Sequence, residues 1–112
     1  MAYNHATVRH YFNAFSSKNL DALANLFADD VTLQDWEISA LGKEAVLAAN
    51  KNIFDAVDSI QINIINTAEN PMATIMFAEI EVVINNDVKL NVVDIIRFNN
   101  VGKITQISAY KR

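Results

Sequence analysis

The apolar positions change period about halfway along the chain. Over residues 6–17, Val8, Tyr11, Phe12 and Phe15 recur at i, i+3, i+4 and i+7, which lays one apolar stripe along a helix. Asn19 is placed to cap a second, short helix, with Asp21 in its first turn where the helix dipole favours an acid. Leu20, Leu23, Leu26 and Phe27 form its buried side. The Asp29-Asp30 pair closes the helices, and a β-branched, alternating run begins at Val31. After Gly42 the spacing predicts a third helix over roughly 43–57, with Val46, Ala49, Ile53 and Val57 on one side.

Beyond residue 58 the period becomes two. Ile60, Ile62 and Ile64 alternate with Gln61 and Asn63, and residues 73–84, 88–98 and 103–110 are further β-rich runs. Glu69-Asn70-Pro71, Asn85-Asn86-Asp87 and Asn99-Asn100-Val101-Gly102 separate them, and asparagine and glycine tolerate the positive φ that hairpin turns need. Three helices and a strand followed by four strands in a meander predict an α+β fold, with helices segregated from an antiparallel sheet. With 112 residues and no linker, repeat or low-complexity tract, residues 1–112 are expected to form one domain.

Composition narrows the chemistry. Apolar residues make up 52% of the chain and charged residues 20%, which excludes disorder. The absence of cysteine excludes a disulfide scaffold and a thiolate zinc site. With 9 basic and 13 acidic side chains and no basic run, nucleic acid is not expected as a partner. No apolar run approaches the ~18 residues of a membrane span, and the opening residues lack the pattern of a secretory signal, so no membrane association and a cytoplasmic location are expected.

Three polar side chains interrupt apolar faces. Period-two alternation puts Asp94 on the face of Leu90, Val92, Ile96 and Phe98. Desolvation there disfavours the carboxylate, and a carboxyl held protonated near neutrality becomes a hydrogen-bond donor. The competing reading is a structural aspartate that accepts hydrogen bonds from a neighbouring strand or a tyrosine. Asp35 closes the first strand on the side of Val31 and Leu33, next to Trp36, at what can be the mouth of a cavity; an ordinary turn aspartate is the alternative. Tyr11 belongs to the stripe of the first helix, where a tyrosine is commonly a core residue whose hydroxyl finds a partner. It matters only if Asp94 and Asp35 converge on the same cavity.

Other candidates are weaker. His5 and His10 are five apart without a third ligand, so no metal is expected. Glu79 and Glu81 share a strand face with Ile75, Phe77 and Val83, which points to the outer surface or an interface. Ser16-Ser17 lacks a nucleophile-elbow pattern, and two glycines make no phosphate-cradling loop.

Several segments together resemble ketosteroid isomerases. They are Val8-Arg9-His10-Tyr11-Phe12-Asn13-Ala14-Phe15, Asn19-Leu20-Asp21-Ala22-Leu23, and Leu26-Phe27-Ala28-Asp29-Asp30-Val31-Thr32-Leu33-Gln34-Asp35. Gly42-Lys43-Glu44-Ala45-Val46, Val93-Asp94-Ile95-Ile96-Arg97-Phe98-Asn99 and Gly102-Lys103-Ile104 extend the likeness over nearly the whole chain. Much of it is shared by the wider nuclear transport factor 2-like superfamily, SnoaL-type polyketide cyclases included. The resemblance implies a cone-shaped, curved antiparallel sheet wrapped by the helices around an apolar cavity. It assigns Asp35 as general base, Tyr11 as oxyanion donor and Asp94 as a second, protonated donor. Phe15, Trp36, Val92 and Ile96 would line the pocket for an apolar small-molecule ligand. No cofactor or metal is implied. Separately, the apolar surplus of the composition leaves Ile75, Phe77 and Val83 for the outer sheet face, where they would pair with a second copy in a homodimer. Trp36 stands where the isomerases often have proline, and the loop from Asp35 to Gly42 is shorter than theirs, which bears on substrate choice. A SnoaL-type cyclase or dehydratase, or a non-catalytic ligand-binding or association module, is the alternative reading.

Overall fold

A computed structural model describes the chain over residues 2–112, with side chains from Asn4 onward. The apolar stripe forms α1 (Ala2–Ser16), with Val8, Tyr11, Phe12 and Phe15 all buried. α2 (Leu20–Leu26) is capped by Asn19, whose side chain accepts from the Ala22 N–H at 3.0 Å. α2 ends one residue earlier than the apolar spacing suggests. Phe27 is already extended, its N–H closing the last helical turn on the Leu23 carbonyl, and it opens β1 (Phe27–Gln34).

A short β2 (Ser39–Leu41), unforeseen from the sequence, returns along β1 and leads through Gly42 into α3 (Lys43–Ala56). Gly42 has a φ of 91°, a left-handed conformation that suits a residue without Cβ. Lys18 then ties the helices together. Its ammonium donates to the carbonyls of Phe54 at 2.9 Å, Val57 at 2.5 Å and Asp58 at 3.2 Å, at the end of α3 where the dipole favours a cation.

The remaining strands are β3 (Ile60–Glu69), β4 (Ile75–Ile84), β5 (Val88–Phe98) and β6 (Ile104–Lys111). Asn85 and Asn86, both at positive φ, make the β4–β5 hairpin, and Asn99 organises the β5–β6 turn by accepting from the Val101 and Lys103 N–H groups. The sheet order is β2-β1-β6-β5-β4-β3. All neighbours are antiparallel except β1 and β6, which run parallel, so the all-antiparallel expectation needs correcting at that one pair. The chain reaches β6 by the meander through β3, β4 and β5, and β6 closes beside β1 in the same direction. Register shifts at Phe27/Thr32, Ile64/Asn66 and Arg97/Phe98 interrupt the ladders, and such bulges bend a sheet. α1 packs on β3 and β4 while α3 packs on β1 and β2, so the helices cover one face of the curved sheet. Among the described residues no helix is long and apolar enough to cross a membrane.

Candidate active site

The helices do not fill the concave side of the sheet completely. A cavity of about 340 Å³ remains between them, walled mostly by aliphatic side chains such as Leu33, Ile53, Ile60, Ile62, Ile80 and Val82. That size is at the lower end of ligand sites, ~300–1,000 Å³. Tyr11 from α1, Asp35 from the end of β1 and Asp94 from β5 all border it.

Alternation along β5 brings Asp94 inward. Val92, Asp94, Ile96 and Phe98 are buried while Asn91, Val93 and Arg97 are exposed. Asp94 is 6% exposed. Its cross-strand neighbours are Ala78 on β4 and Ala109 on β6, two small side chains that leave space around the carboxyl. Burial, and then the negative charge of Asp35, push Asp94 up to about 7. Asp94 can therefore hold its proton near neutrality, where an ordinary aspartate has lost it.

Tyr11 is wedged among Phe12, Phe15 and Phe27, with ring centroids 5.2, 6.0 and 6.2 Å away. Burial, followed by the charges of Asp94 and Asp35, raises its hydroxyl well above the ordinary tyrosine value. It remains a donor throughout the neutral range. Among the described residues neither the Tyr11 hydroxyl nor the Asp94 carboxyl has a hydrogen-bond partner, so both are left to the cavity.

Asp35 is held differently. Its Oδ1 accepts from the Glu37 N–H at 2.7 Å and the Ile38 N–H at 2.6 Å, and its own N–H donates to the Ile38 carbonyl at 2.9 Å. This turn fixes the side chain through one oxygen. Oδ2 has no hydrogen bond among the described residues. Half-buried at the cavity's edge, Asp35 has a rigid mount and one oxygen free to take a proton.

Phe15, Trp36 and Val92 also border the cavity. Phe15 stacks edge-on against Phe54, 4.8 Å between centroids, and Trp36 is 43% exposed at the mouth with the Lys111 ammonium 5.2 Å from its ring. Ile96 is a correction. It lies deeper on β5, fully buried with Met76 and Ile107 as its cross-strand partners, and is core rather than lining. Among the described residues no group of three or more His, Cys, Asp and Glu side chains is placed to share a metal ion.

One lining residue escapes the sequence pattern. Asn50, on α3, is 2% exposed, and its Oδ1 is a buried side-chain atom without a hydrogen-bond partner among the described residues. An orphaned buried acceptor costs about 1–3 kcal/mol. Its signal was present: Asn50 sits four residues from both Val46 and Phe54, which are the buried positions of α3. The apolar side drawn through Ala49 and Ile53 concealed it, because the buried stripe is rotated toward Asn50 and Phe54.

Residues 8–107 match the family model of the SnoaL-like domain. The chain belongs to the SnoaL-like family. Solved structures agree on the fold of this SnoaL-like chain while spanning several chemistries. A provisionally assigned ketosteroid isomerase from Kribbella flavida superposes with a TM-score of 0.83 at 16% identity, over 97% of this chain and 77% of that one. A provisionally assigned polyketide cyclase from Sinorhizobium meliloti gives 0.82 at 18% identity, over 93% of each chain. An LEH-like epoxide hydrolase from M. tuberculosis gives 0.79 at 15% identity, over 96% and 80%. No curated protein sequence matches the chain significantly. The SnoaL-like fold is thus shared by isomerase, cyclase and hydrolase assignments, and the reaction has to be argued from the side chains.

Proposed function

We propose that the protein moves a proton next to the carbonyl of a small apolar ketone by way of an enolate. The observation that carries this reading is the meeting of Tyr11, Asp35 and Asp94 on one apolar cavity, with the two donors unpartnered. Asp35 Oδ2 takes the proton from carbon, and the electron pair moves onto the carbonyl oxygen. The Tyr11 hydroxyl and protonated Asp94 donate to that oxygen as charge develops. Asp35, now neutral, returns the proton to another carbon of the enolate. One well-placed oxyanion donor lowers such a barrier by roughly 3–4 kcal/mol, and the positioned base adds ~10²–10⁴-fold. Dryness favours both donors, since it strengthens their hydrogen bonds and keeps Asp94 protonated.

A naphthol tests the oxyanion half, because its ionised oxygen mimics the enolate. Fluorescence titration is expected to show binding that weakens at least about tenfold in both Tyr11→Phe and Asp94→Leu. Equal affinity in the three proteins refutes the assignment.

The outer face of the sheet carries the partner proposal. Phe77 pairs with Ile95, and Val93 lies between Glu79 and Tyr110. Phe77, Val93 and Tyr110 are exposed. A second copy docking there would cover this apolar centre. Sedimentation as a dimer that Val93→Lys dissociates supports the pairing, and a monomeric wild type removes it.

A further inference from the structure

Every polar group used in the proposed reaction has a task, and Asn50 does not. It is the one side chain of the cavity that α3 supplies with hydrogen-bonding capacity at both ends, and it spends none of that capacity on the protein. Its surroundings would accept a hydrocarbon side chain: Val46 and Phe54 lie one turn away on the same face, and Ile53 borders the same cavity. A leucine of similar size would satisfy that environment without an orphaned acceptor.

We propose that Asn50 binds the substrate, and that the substrate is a hydroxylated ketone. This rests on the enolate reading above and adds to it. The orphaned atom is an acceptor, so it needs a donor. A ketone alone has none. As placed, Oδ1 is closed off, so the carboxamide first turns about its last torsion to bring that oxygen to the lining, where a hydroxyl elsewhere on the same molecule donates to it. The carbonyl end is taken by Tyr11 on α1 and Asp94 on β5, so the hydroxyl belongs at the α3 wall. The cavity volume of about 340 Å³ suits a ligand of one or two rings with two oxygens at different ends. Binding both ends would also fix which carbon faces Asp35.

The experiment compares a naphthol with a set of dihydroxynaphthalenes by fluorescence titration, on the wild type and on Asn50→Leu. In the wild type at least one diol is expected to bind about tenfold tighter than the naphthol. In Asn50→Leu that preference disappears while affinity for the naphthol stays within about twofold. A wild type that prefers no diol, or a variant that keeps the preference, overturns the proposal.

Denaturation of the unliganded proteins supplies a second readout. Asn50→Leu should be at least as stable as the wild type, because the carboxamide holds no structure. A lower midpoint overturns the proposal, and decides the matter alone if none of the compounds binds. Tyr11→Phe separates this from the enolate reading. If that variant binds the naphthol as well as the wild type, the oxyanion assignment falls, while the diol-to-naphthol ratio still judges Asn50.

Discussion

Asp94 faces Ala78 across the β4–β5 ladder, and the methyl group opposite it is what leaves a buried carboxyl room beside the cavity. Ala109 does the same from β6. Directly opposed residues have Cβ atoms only ~4.5–5.5 Å apart, so a larger neighbour would press on the carboxyl. Ala78→Val is therefore expected to cost about 1–3 kcal/mol in chemical denaturation, the usual range for an overpacked core. It should also weaken naphthol binding. Unchanged stability would mean the space around Asp94 is not set by its neighbours.

Asp94 makes stability depend on pH in an unusual direction for a carboxylate. Its folded-state value, about 7, lies above its ordinary value of 3.8, so the folded protein holds a proton that the unfolded chain has released. The stabilisation is fully present below about pH 4 and is lost as pH rises through about 7. The change is a few kcal/mol at most. Denaturation curves at a series of pH values should show this fall in the wild type and a flatter profile in Asp94→Asn. A wild type that gains stability over the same interval contradicts the burial argument.

The same proton should appear in catalysis. Deuterium exchange at the α-carbon of β-tetralone, a two-ring ketone, reports proton transfer without a known substrate. Its kcat/KM should decline above about pH 7 as Asp94 ionises, approaching tenfold per pH unit. Asp94→Asn keeps an N–H donor at every pH, so it should retain activity and lose the alkaline decline. A decline that persists unchanged in Asp94→Asn assigns it to another group.

Lys18 is expected to matter to the fold rather than to the chemistry. It is a non-glycine residue at a φ of 56°, and its ammonium holds three carbonyls at the end of α3. Lys18→Met should destabilise by about 1–2 kcal/mol in denaturation, through the lost cap and dipole contact. No loss of stability would show the cap to be idle.

Strong periodicity made much of this legible from the residues. Alternation along β5 identified Asp94 as the polar residue on a buried face, and the stripe of α1 placed Tyr11 inward. Asp35 was marked by its position at the strand end, yet its turn through Glu37 and Ile38 depends on backbone geometry that no side-chain pattern records. The parallel pairing of β1 with β6 was invisible for a related reason: alternation tells which face a residue occupies, not which strand lies beside it. Ile96 shows the limit of that reasoning along a single strand. It shares a face with Asp94, but depth along the cone separates lining from core. Asn50 was missed because a helix stripe can be drawn through either of two adjacent residues, and the apolar choice, Ala49, looked sufficient.

The most direct test of the central claim is the rate at which solvent deuterium enters the α-carbon of β-tetralone with the wild type and with Asp35→Asn. Asparagine keeps an Oδ1 that can accept from Glu37 and Ile38, so the turn should survive and only the base is lost. Enzyme-catalysed exchange is expected in the wild type, with a fall of ~10²–10⁴-fold in Asp35→Asn and retained naphthol binding in the variant. Exchange at the wild-type rate in Asp35→Asn would contradict it.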